Sequence, residues 1–100
     1  MNKAERVLKM LTELCAKNEA ADVAIKYSTH SGQFYLTLPC EIKEGICLRG
    51  ICEHRDTIEA AAIAAVEAIK GKLLIFNAYR ENRKEVFFYL PEEAHNGQST

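Results

Sequence analysis

Residues 46–69 read ICLRGICEHRDTIEAAAIAAVEAI, and this stretch decides the fold. Ile46, Leu48 and Cys52 share one parity, with Gly50 between them, the period-two pattern of a strand with one face on a core. Asp56 follows as a helix cap, and Glu59, three residues on, completes a capping box. Beyond it the spacing changes to three and four. Ile58, Ala61, Ala62, Ala65, Val66 and Ile69 line one face of a helix predicted over residues 57–70. Six alanines in that helix allow close approach to a sheet or another helix. Lys70 suits its C-terminus and Gly71 the position just past it.

Towards the N-terminus, Ala4, Val7, Leu8, Leu11, Leu14 and Cys15 build an apolar stripe, predicting a helix over residues 3–17 with Asn2 as its cap and Asn18 as its stop. Val23, Ile25 and Tyr27 then alternate with polar or small residues, as do Phe34, Leu36 and Leu38, which predicts two strands. Thr29-His30-Ser31-Gly32 joins them as a hairpin turn. Pro39 is expected to close the second strand, and Lys43-Glu44-Gly45 to turn into the third.

Towards the C-terminus, strands predicted over Leu73–Tyr79 and Val86–Leu90 flank a polar tip, Arg80-Glu81-Asn82-Arg83-Lys84. The expected order is α-β-β-β-α-β-β: an α+β domain over residues 1–90, one antiparallel sheet with two helices on one face. PEEAHNGQST, residues 91–100, lacks periodicity and reads as a flexible tail.

With 100 residues there is room for one small core and little for a catalytic apparatus. Thirteen Lys and Arg against fourteen Asp and Glu argue against bulk-charge binding to nucleic acid. The longest apolar run, Ala60 to Val66, is far short of the ~20 residues a membrane span needs. The charged N-terminus does not read as a signal peptide, so a cytoplasmic location is expected, with Cys15, Cys40, Cys47 and Cys52 as free thiols.

Cys40, Cys47, Cys52 and His54 are spaced C-x6-C-x4-C-x-H, without the tight C-x2-C knuckle of a structural zinc site. Cys52 and His54 share a parity, but no acid is placed to orient the histidine. Glu92 and Glu93 read as solvated carboxylates, and the glycines form no phosphate loop. The expectation is therefore no enzyme, no metal and no cofactor.

The last hairpin is apolar on both faces. Leu73 and Ile75 oppose Leu74 and Phe76, and Val86 and Phe88 oppose Phe87 and Tyr89, yet helices cover only one face of a sheet. A homodimer or stable heterocomplex built on Leu74, Phe76, Phe87 and Tyr89 is expected, with Tyr79, Arg80, Arg83 and Lys84 at its rim. From Lys70 to Lys84, five bases (Lys70, Lys72, Arg80, Arg83, Lys84) face one acid, Glu81. That segment reads either as a solubilising tip or as a contact patch for phosphates or an acidic surface.

Residues 46–69, with the helix and strands before them, resemble the topology of double-stranded RNA-binding domains over about residues 3–70. That family sets lysines at the start of the second helix; here the junction is Glu53-His54-Arg55-Asp56-Thr57-Ile58-Glu59. The resemblance implies RNA or DNA contact through Lys26, Arg49, His54 and Arg55. Leu48-Arg49-Gly50 and Glu59-Ala60-Ala61-Ala62 are also similar to small phage proteins of α-β-β-β-α type, among them anti-CRISPR proteins. That second resemblance implies a small inhibitor that binds and blocks a host nucleic-acid-handling protein.

Overall fold

In a computed structural model that describes residues 2–89, the element order is α1 (Lys3–Lys17), β1 (Ala24–Ser28), β2 (Gln33–Glu44), β3 (Cys47–Arg55), α2 (Ile58–Ile69), β4 (Leu73–Phe76) and β5 (Lys84–Phe87). This is the expected α-β-β-β-α-β-β succession. Leu90 and the tail expected at 91–100 lie outside the described residues.

Asn2 caps α1 through a reciprocal box: its Oδ1 accepts from the Glu5 N–H at 2.9 Å, and Glu5 accepts from the Asn2 N–H. At the other end Asn18 is the C-cap, and its Nδ2 donates to the Leu14 carbonyl at 2.8 Å. The cap of α2 is Thr57 rather than Asp56: the Thr57 backbone is extended and its Oγ1 accepts from the Ala60 N–H. Asp56 instead accepts from Gln33 Nε2 at 3.0 Å. Gly71, just past α2, takes φ +71°, a conformation that costs glycine nothing.

The five strands form one antiparallel sheet with β2 at its centre. In each half of β2, β3 takes one edge; the other edge goes to β1 in the first half and to β4 in the second. The last hairpin thus joins the first sheet, through Cys40–Phe76, Glu41–Ile75 and Ile42–Leu74 pairs. Pro39 does not end β2. It lies where the pairing with β3 shifts register between Thr37 and Glu41, a bulge in which its missing N–H breaks no ladder bond.

Both helices pack on one face. Leu11 and Cys15 of α1, and Ala65, Val66 and Ile69 of α2, meet Leu36, Leu38, Cys40, Ile42, Leu74 and Phe76 of the sheet in one buried cluster. The parity expected for β3 is reversed. Ile51 is its core residue, because β2 turns Leu36 and Ile42 inward and so sets the facing side chains of β3. Leu48 and Cys52 point to the outer face, and Ile46 leaves the strand to sit fully exposed in the β2–β3 turn. Strand β4 ends at Phe76, not Tyr79, because Asn77 takes φ +55°. Its Nδ2 donates to the Asn18 carbonyl at 3.0 Å and the Asn82 carbonyl at 3.3 Å, which ties the hairpin loop to the end of α1. Among the described residues, no helix is long and apolar enough to cross a membrane.

Candidate functional site

The residues expected to form one association surface fall in four places. Leu74 and Phe76 are fully buried beneath the helices and belong to the core, not to a surface. Tyr79 and Arg80 lie in the exposed loop between β4 and β5, with Tyr79 90% exposed. Arg83 and Lys84 are held by carboxylates: Arg83 Nη2 lies 3.1 Å from Glu85 Oε2, and Lys84 Nζ lies 2.9 Å from Glu19 Oε2. Glu85 stands just beyond the basic segment, and Glu19 arrives from the end of α1, so the local positive charge is largely offset. Phe87 and Tyr89 come together at the surface, with ring centroids 4.8 Å apart.

Both residues contribute to the lining of a groove of about 400 Å³ between α1 and β5, to which Val86 and Phe88 belong as well. Met10 and Leu14 supply its apolar lining from α1, and Glu13 and Lys17 its polar rim. Phe88 is buried at the groove's base, and its N–H and C=O bond the Lys72 carbonyl and the Gly71 N–H, which anchors the strand beyond β5. Phe87 is 48% exposed and Tyr89 73% exposed, so much of two aromatic rings faces water beside an apolar trough. Sequence reading missed the α1 contribution. Its signal was Met10, an apolar residue beside the main stripe that widens the helix's apolar face.

The four residues of the nucleic-acid alternative divide between opposite faces. Lys26, Tyr35 and His54 form one cross-strand row on the uncovered face, and the Tyr35 and His54 rings stack at 4.7 Å. Arg49 and Arg55 point to the helix side, where Arg49 Nε meets Glu44 Oε1 at 3.2 Å and Arg55 Nη2 meets Glu53 Oε1 at 3.6 Å.

The cysteines also separate. Cys15 and Cys40 are buried, and Cys47 and Cys52 are exposed on opposite faces of β3. Among the described residues no three His, Cys, Asp or Glu side chains stand close enough to hold a metal ion. Burial pushes the Cys15 thiol up to about 11, with the Asp22 charge adding to it, and the Cys40 thiol up to about 12, with Cys15 and Glu41 adding.

A thiol kept protonated in the fold but free to ionise when unfolded leaves the native state with more protons above its ordinary value of 9.0. Stability is therefore complete below that pH and falls as pH rises toward 11–12, by up to roughly 1.4 kcal/mol per pH unit for each thiol. Urea midpoints should drop between pH 8 and pH 10.5, less steeply in Cys40→Ala; a midpoint indifferent to pH would contradict the buried placement. Maleimide should label Cys47 and Cys52 promptly, and Cys15 and Cys40 only on unfolding.

Comparison with protein-family models, with curated protein sequences and with solved structures finds no match to this chain.

Proposed function

We propose that the chain is a non-enzymatic protein-binding module that docks an apolar segment of a partner protein into the groove between α1 and β5. The observation that carries this reading is the exposed Phe87–Tyr89 pair standing beside Met10 and Leu14. Aromatic residues are enriched at protein interfaces, and tyrosine, with an apolar ring and a polar hydroxyl, is among the types that dominate their binding energy; Glu13 and Lys17 supply a mixed polar rim. An inhibitor of the anti-CRISPR kind, which works by occupying a host protein that handles nucleic acid, is one form such a module takes. A direct nucleic-acid role is less well supported, because Arg49 and Arg55 are paired with acids on the face opposite Lys26 and His54.

Salt separates the two. The immobilised chain should retain a protein from nuclease-treated extract of its native host, and retention should persist into high salt, since apolar contacts are little screened. Retention that vanishes with nuclease, or falls steeply with salt, would assign the binding to nucleic acid and sink the reading.

A further inference from the structure

Strand β3 pairs with β2 along one edge, and among the described residues its other edge pairs with no strand. The N–H and C=O groups that alternate residues of this nine-residue strand turn to that edge are a template for a further strand. The sequence along that edge, Cys47 to Arg55, is complementary to itself. Set antiparallel to an identical strand with Ile51 on the two-fold axis, Arg49 stands opposite Glu53 of the second copy, and Glu53 opposite its Arg49. Gly50 then faces Cys52, Leu48 faces His54, and no two like charges meet. The neighbouring registers lose this match. Centring on Cys52 sets Arg49 against Arg55, and centring on Gly50 sets Arg49 against Ile51. Within one chain, Arg49 already meets Glu44 and Glu53 meets Arg55. The Ile51 register therefore joins these pairs into a row of alternating sign: Glu44, Arg49, then Glu53 and Arg55 of the second copy.

A second feature points to the same occupant. Beside this edge runs an open groove of about 570 Å³, lined by Glu53 and Arg55 of β3 and by Ala60, Ile63, Ala64, Ala68 and the Lys70-paired Glu67 of α2. A two-fold axis through Ile51 carries the second copy's α2 alongside the first, antiparallel, over the joined edge. Ala60, Ala64 and Ala68 allow the two helices to approach along this row.

We propose that the chain forms a two-fold dimer by antiparallel pairing of β3 with β3 of a second copy, in the register centred on Ile51. Two sheets then become one, with α2 packed on α2. β5 lies on the other side of the sheet from β3, so the dimer leaves both α1–β5 grooves open. The inference does not rest on the docking reading above, and each can fail alone.

Sedimentation velocity on four proteins tests it: wild type, Arg49→Glu, Glu53→Arg, and the double variant. Both positions are partly solvent-exposed and single reversals leave the core intact, which circular dichroism checks. The wild type should sediment as twice 11.2 kDa. Each single reversal sets two like-charge pairs across the axis and should weaken the dimer by roughly tenfold or more. The double variant should recover it. An equimolar mixture of the two single variants should form a heterodimer, since each supplies the sign the other lacks. The proposal is overturned by a wild type that stays monomeric, by single reversals that leave the dimer unchanged, or by a mixture that does not reassociate.

Discussion

Phe76→Ala is expected to remove about 3–5 kcal/mol of folding stability, the usual cost of emptying a buried phenylalanine site. Phe87→Ala, in the paired strand, is expected to cost less than about 1 kcal/mol. The contrast follows from which way each ring points. Phe76 is 0% exposed and sits in the cluster with Leu11, Leu36 and Ile69. Phe87 pairs with Leu73 on the face that no helix covers, and is half exposed. A small domain's stability is about 5–15 kcal/mol, so Phe76→Ala removes a large fraction of it. Urea denaturation of the two variants reads both values. Equal losses would contradict the placement of Phe76 in the core and of Phe87 at the surface.

Asn77→Val is expected to cost about 2–4 kcal/mol, nearly as much, at a residue that belongs to no strand. Two losses combine. The backbone at Asn77 has φ +55°, which asparagine tolerates and a β-branched residue strongly resists. The substitution also deletes the Nδ2 donor that reaches the Asn18 and Asn82 carbonyls. Asn77→Gly separates the two effects, because glycine keeps the backbone and loses only the bonds. It should cost about 1 kcal/mol. Thermal melts of both variants measure the difference. A glycine variant as damaged as the valine variant would place the whole effect in the side-chain bonds rather than in the turn.

The element order was legible because it is local. The stripe of α1 with its Asn2 cap, and the alanine-rich face of α2, are each set by residues a few positions apart, and the structure keeps each. What escaped the sequence depends on pairing. Ile46, Leu48 and Cys52 on one parity of β3 compete with Ile51 on the other, and only the register against β2 chooses Ile51. Asp56 and Thr57 are both competent caps, and the choice falls to Thr57 while Asp56 bonds Gln33, 23 positions away. The basic segment seemed unopposed because Glu19, which meets Lys84, is distant in sequence and close in space. The groove was hidden for the same reason. Phe87 and Tyr89 were visible as surplus apolar residues, whereas Leu14 read as part of a helix's core face and Met10 lay outside that stripe, until α1 and β5 came together.

Phe87 and Tyr89, at the α1–β5 groove, are the residues proposed to hold a partner protein. That role is tested most directly by comparing capture from native host extract by the wild type and by a Phe87→Asp, Tyr89→Asp variant of matched thermal stability. The protein retained by the wild type through high-salt washing should be lost from the double variant, while Arg49→Glu, on the far edge of the sheet, should retain it. Equal retention by the wild type and the double variant would rule out docking through these two residues.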